Sequence, residues 1–84
     1  VARRLVEFEA EWCGPCRAVA PLVAKLAAKH GLPVERVDID AQPERAAAAG
    51  ILGVPAVLLF DGNEPLARSV GAKPLAALER ELGL

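Results

Sequence analysis

Both cysteines of this 84-residue chain fall in one five-residue stretch, Trp12-Cys13-Gly14-Pro15-Cys16. Two thiols separated by two residues, at a point where a strand gives way to a helix, form either a dithiol/disulfide switch or half of a metal site. The spacing has a mechanical basis: one helical turn brings residues i and i+3 to the same face, close enough for a bridge to close. Cys13 would stand at the positive end of the helix dipole, which favours thiolate over thiol. Pro15 suits the first helical turn, where no backbone N–H is needed. A tetrahedral zinc takes four ligands. The chain supplies two cysteines and a single histidine, His30, placed far along the helix. A metal reading therefore survives only as a site shared between chains.

The elements that must position these thiols can be read from patterning. Arg3 to Glu9 reads as a strand, with Leu5, Val6 and Phe8 apolar and Glu7 interrupting them. From Pro15 to Lys29, Val19, Leu22, Val23, Leu26 and Ala27 recur at spacings of three and four and make one helical stripe. Pro21 falls inside that helix, where a kink is expected. Gly31 with Pro33 predicts its stop. Val34 to Ile39 reads as a second strand, and strand–helix–strand in this length implies a right-handed parallel unit. Pro43 to Ala49 predicts a short helix ended by Gly50. Ala56 to Phe60 is a continuous apolar run, suited to a strand buried on both faces. Asp61-Gly62-Asn63 predicts a turn into a strand over Leu66 to Val70. A final helix begins at Pro74, with Leu75, Leu78 and Leu82 on its apolar side.

The Trp12–Cys16 pentapeptide resembles the active-site signature of the thioredoxin family, and the preceding Leu-Val-Glu-Phe-Glu-Ala-Glu resembles the strand and loop that lead into it there. Pro21 and Val54-Pro55 also match family positions, so the resemblance covers nearly the whole chain. It implies an α/β, thioredoxin-like fold: a four-stranded mixed sheet in β-α-β-α-β-β-α order, as one domain over residues 1–84. This is the family core without the strand and helix that usually precede it. The first strand here would lie inside the sheet, and Val34–Asp40 would be an edge protected by Glu35, Arg36 and Asp38.

The resemblance also implies roles. Cys13 would be the nucleophile and the more exposed thiol; Cys16 would resolve the mixed disulfide. Gly14-Pro15 resembles the dipeptide of reducing members. Pro55 would be cis and face the cysteines, and Val54 would pair its backbone with an extended substrate segment. Trp12, Gly71 and Ala72 would line a shallow apolar rim around Cys13. Glu7 stands where the family usually has aspartate, and would be buried behind Cys16 as its proton acceptor. Arg36 stands where a lysine often partners that group. Two further departures are Glu9, in place of a residue that is often aromatic, and Ala56, in place of a common threonine. Glu9, Glu11 and Arg17 read as solvated surface charges.

Composition narrows the partners. A formal net charge of −1 gives no support to a nucleic-acid or anionic-membrane surface. No run approaches the roughly 18 apolar residues of a spanning helix, and Val1-Ala2-Arg3-Arg4 has no signal-peptide core. One cysteine pair is not a disulfide scaffold. These features predict a cytoplasmic protein, with a secreted one whose targeting segment was trimmed as the alternative, and the charged edge strand predicts a monomer. The expected function is reduction of disulfides in protein substrates, with no resident cofactor or metal. Electrons would come from a separate thioredoxin reductase, because the chain has no nucleotide-binding glycine motif. The alternative is a binding module of the same fold with a structural or regulatory dithiol.

Overall fold

A computed structural model describes residues 2–84; Val1, part of the N-terminal stretch considered above, lies outside the described residues. The elements run β1 (Arg3–Glu9), α1 (Gly14–His30), β2 (Val34–Asp38), α2 (Pro43–Ala48), β3 (Ala56–Asp61), β4 (Glu64–Val70) and α3 (Leu75–Glu81). The sheet order is β2-β1-β3-β4. β1 pairs parallel with β2 and antiparallel with β3, and β3 pairs antiparallel with β4. The strand carrying Glu7 is therefore interior, as the resemblance implies, and β2 is an edge.

Alternation along β1 divides the core in two. Leu5 points to one face, where it meets Val19, Val23 and Leu26 of α1, Val57 and Leu59 of β3, and Leu78 and Leu82 of α3. Val6 and Phe8 point to the other face, against Val37, Leu58 and Ala46 of α2. Full burial of each large aliphatic side chain is worth about 1.5–3 kcal/mol, so α1 is held mainly by its predicted stripe. α1 runs through Pro21 as a single element and ends where Gly31 adopts φ 64°, a left-handed cap whose N–H reaches Ala28 O. On the second face α2 covers only part of the sheet. It leaves a cavity of about 440 Å³ lined by Phe8, Phe60 and Pro65 and by the stems of Arg4, Arg45 and Arg68. Arg45 pairs with Glu35 of the edge strand, and Arg4 approaches the same carboxylate at 3.5 Å.

Most element boundaries fall within one residue of the sequence expectation, α1 running Gly14–His30, β3 ending at Asp61 and α3 starting at Leu75, and three differences have a local cause or a larger shift. β2 stops at Asp38 rather than Ile39, because the Asp38 carboxylate accepts the N–H groups of Asp40 and Ala41 and bends the chain into a turn. β4 begins at Glu64 rather than Leu66. It passes through Pro65 at a register shift next to Leu59 and Phe60, where an edge strand tolerates a missing N–H. α2 ends one residue early, at Ala48. No helix among the described residues is long and apolar enough to cross a membrane.

Candidate active site

The interior strand β1 ends at Glu9, and Ala10 to Trp12 turn the chain directly into α1. The turn is closed by a hydrogen bond from Cys13 N to Ala10 O at 3.1 Å. Arg17 braces it from the helix, donating from Nη2 to Glu11 O at 2.7 Å. Arg17 thus serves the loop backbone rather than standing free beside the thiols.

Cys13 is the N-cap of α1, and its sulfur accepts the N–H of Cys16 at 3.1 Å. The first turn of α1 holds no acidic residue. A sulfur held against the unpaired N–H groups of a 17-residue helix sits where the dipole favours negative charge. Cys13 and Cys16 are joined as a disulfide, with Cα atoms 5.3 Å apart. Together with Ala10 they form a small apolar cluster, closed by Ile39 and Val54. The expected difference in exposure between the two thiols is not present in this state: Cys13 is 4% exposed and Cys16 3%. The disulfide turns both sulfurs into the same cluster, so what separates the two residues is the capping position and not accessibility.

Of the other predicted site residues, several are brought together. The Val54–Pro55 bond is cis. Val54 packs on the cysteine cluster, and Pro55 is buried with its carbonyl accepting Gly71 N at 2.8 Å. Gly71 adopts φ 92°, a conformation that disfavours any side chain, and so carries the chain past Pro55. Gly14, Pro15 and Ala72 are exposed beside these groups. Trp12 is 67% exposed, with its indole N–H donated to Asp40 Oδ2 at 2.8 Å.

Glu7 is 1% exposed, on the face of β1 that α1 covers. Its neighbours across the sheet are Arg36 and Val57. Its Oε2 is buried with no hydrogen-bond partner among the described residues. Burial pushes the carboxyl above its usual range, Arg36 pulls it back, and Glu9 adds to the rise.

Four features of the site were not read from the sequence. Glu9 is no free surface charge: it holds Arg36 through contacts of 2.6 and 2.8 Å. Asp40 anchors Trp12, although a tryptophan and an aspartate 28 residues apart carry no joint signal. Leu52, next to the cis-proline loop, is fully exposed, and with Val70 and Ile51 it lines a hollow of about 220 Å³. Lys73 is fixed by Glu81 at 2.7 Å, and the same carboxylate accepts the buried Ser69 hydroxyl; this ties the end of β4 and the loop after Gly71 to α3. These bonds hold Glu81 below the usual carboxylate range, Lys73 contributing most.

The comparisons with known proteins agree with this geometry. The family profile described as Thioredoxin matches residues 2–83. A thioredoxin from Mycobacterium bovis is 44% identical over 80 residues, covering 93% of this chain and 69% of that protein. The chain belongs to the thioredoxin family. A bifunctional thioredoxin reductase/thioredoxin from Mycobacterium leprae is also 44% identical over 80 residues, and the chain spans 18% of its length. Among solved structures, a mitochondrial thioredoxin 3 from Saccharomyces cerevisiae in the oxidised form superposes with a TM-score of 0.85 at 25% identity, covering 99% of this chain and 79% of the other. A thioredoxin variant from Halobacterium salinarum gives 0.83 at 33% identity, covering 99% and 77%. Thioredoxins are protein-disulfide oxidoreductases, and the Cys13–Cys16 pair of this thioredoxin-family chain occupies the active-site position.

Proposed function

We propose that this protein reduces disulfides in protein substrates with Cys13 as the attacking sulfur. The observation that carries the reading is the capping geometry: Cys13 Sγ accepts the Cys16 N–H at 3.1 Å at the head of α1. In the reduced protein, the Cys13 thiolate attacks one sulfur of a substrate disulfide. A bond forms between Cys13 and that sulfur, the substrate S–S bond breaks, and the second substrate sulfur leaves as thiolate. Cys16, one turn in, then gives up its proton and attacks Cys13 Sγ. The mixed disulfide breaks, the substrate sulfur that was bonded to Cys13 departs as thiolate, and the protein is left with the Cys13–Cys16 disulfide. Two electrons have passed from the protein dithiol to the substrate.

Glu7 is the proposed acceptor of the Cys16 proton. It lies on the α1-covered face of the sheet with one oxygen unpaired, and a buried carboxylate of raised proton affinity suits a base working near neutral pH. Trp12, Gly14, Pro15, Val54, Pro55, Gly71 and Ala72 are the proposed docking surface. Their support is the hydrogen bond linking Gly71 N to Pro55 O, the packing of Val54 on the cysteine cluster, and the exposure of Trp12 beside the disulfide.

The oxidised form is returned to the dithiol by a separate thioredoxin reductase. The Mycobacterium leprae relative, which is named for both activities, supports that partnership. The working form is a cytoplasmic monomer, read from the reducing chemistry and from an edge strand whose Glu35 is paired with Arg45. Its function is tested by insulin reduction under dithiothreitol. Turbidity that rises with this protein, and is lost in Cys13→Ser, is the expected result. A dithiothreitol-only rate at every protein concentration would reduce the chain to a binding module.

A further inference from the structure

Glu9 and Arg36 form an arrangement that the proposed chemistry does not use. The register sets Glu7 opposite Arg36, and Glu9 lies two residues further along β1 on the same face. Arg36 could serve either carboxylate. It commits to Glu9, with Nε 2.6 Å from Oε2 and Nη2 2.8 Å from Oε1, the two-pronged geometry that makes guanidinium–carboxylate pairs strong. Its Nε stays 3.9 Å from Glu7 Oε1, beyond hydrogen-bond reach. Arg36 is more than half exposed, whereas Glu7 is buried. The guanidinium therefore lies out at the sheet edge with Glu9, while Glu7 Oε2 keeps no partner among the described residues.

We propose that Glu9 is a positioning residue: by capturing Arg36 at the edge of the sheet, it denies Glu7 a charged hydrogen bond and keeps that buried carboxyl available for a proton. The role in turnover rests on Glu7 accepting the Cys16 proton, as proposed above. Among the described residues, Arg36 and Glu9 are the charges that act on Glu7. From β3 the neighbour is Val57. The buried residues α1 offers to the sheet are Cys16, Val19, Val23, Leu26 and Ala27, of which only the Cys16 thiol of the reduced form titrates. The raised Glu7 affinity agrees with this geometry, since burial leads its causes, Arg36 only partly offsets it, and Glu9 adds to it.

The test is a carbon-13 titration of the glutamate side-chain carboxyls in four proteins: wild type, Glu9→Gln, Arg36→Gln and the double variant. Glu9→Gln frees Arg36 to reach Glu7, and the Glu7 midpoint should fall by about one pH unit, the low end of what a close opposite charge does. Arg36→Gln should raise it. In the Arg36→Gln background, Glu9→Gln should move the midpoint by less than half as much, because only simple repulsion is then removed. Equal shifts in both backgrounds, or no shift in either, would overturn the positioning role. The acid limb of mixed-disulfide resolution is followed in the same proteins. If it moves with the Glu7 midpoint, Glu9 acts on turnover through Glu7. If the carboxyl midpoint moves and resolution does not, the positioning stands and the proton-acceptor role of Glu7 is removed.

Discussion

Replacing Glu7 with leucine should make the oxidised protein more stable at neutral pH, and the gain should grow as pH rises from the acid side. The magnitude follows from one unpartnered atom, one ion pair and one side-chain volume. A buried polar atom left without a partner, as Glu7 Oε2 is, costs about 1–3 kcal/mol. Against that, the variant loses an ion pair at 3.9 Å to a half-exposed arginine, worth about 0–1 kcal/mol. Leucine has nearly the same volume, so no large cavity opens. The net is a stabilisation of about 1–2 kcal/mol, a sizeable share of the roughly 4–13 kcal/mol expected for a chain of this length. With a urea slope of about 1 kcal/mol per molar for a small domain, the midpoint should move up by about 1–2 M.

The sign of the pH effect follows from the raised Glu7 affinity. Between the unfolded value, near 4.5, and the higher folded one, the native state binds more protons than the unfolded state, so wild-type stability from this group falls as pH rises. The leucine variant lacks that loss. Carboxylates whose proton affinity is lowered, such as Glu35 and Glu81, act equally in both proteins and cancel in the difference curve. Urea unfolding of both oxidised proteins from pH 4.5 to 8 measures it. Parallel curves, or a variant less stable than wild type at neutral pH, would refute the burial argument. Single-turnover resolution of a mixed disulfide should slow in the same variant.

Two other perturbations probe the frame. Glu79 is held below the usual carboxylate range by Lys29 and then His30, so its contribution is present above the unfolded value and lost as pH falls through the folded one. Thermal melts of Glu79→Gln should accordingly show a shallower loss of stability on the acid side, and an unchanged acid slope would discount this α1–α3 link. Asp40→Ala removes the acceptor 2.8 Å from the indole of Trp12, the chain's one tryptophan. Its fluorescence should shift and its quenching by iodide increase, at a stability loss of about 0.5–1.5 kcal/mol; an unaltered spectrum would mean the bond does not hold the ring in solution.

What could be read in the chain beforehand was whatever depends on local spacing. The capping position of Cys13, the buried stripe of α1 and the buried run Ala56–Leu59 follow from helical spacing, an unbroken apolar run and helix-start and helix-stop residues. The interior place of β1, and with it the burial of Glu7, came from family resemblance, since a lone glutamate among apolar residues does not say which face is covered. What escaped depends on register between distant segments. Arg36 choosing Glu9 over Glu7, and Asp40 meeting Trp12, are set by β1–β2 pairing and by the turn that Asp38 makes. The equal burial of the two sulfurs is a property of the disulfide state, which a rule written for the reduced thiol does not describe. Leu52, fully exposed just before the bend at Gly53, carried no local signal of its exposure.

The central claim is that Cys13 attacks and Cys16 resolves, and trapping tests it most directly. Reduced Cys16→Ser is mixed with a disulfide-containing protein such as insulin, and the products are mapped by mass spectrometry without reductant. A covalent complex joined through Cys13, released by dithiothreitol and absent from the Cys13→Ser protein, is the predicted result. A stable complex formed through Cys16 in the Cys13→Ser protein, with none through Cys13 in its counterpart, would contradict it.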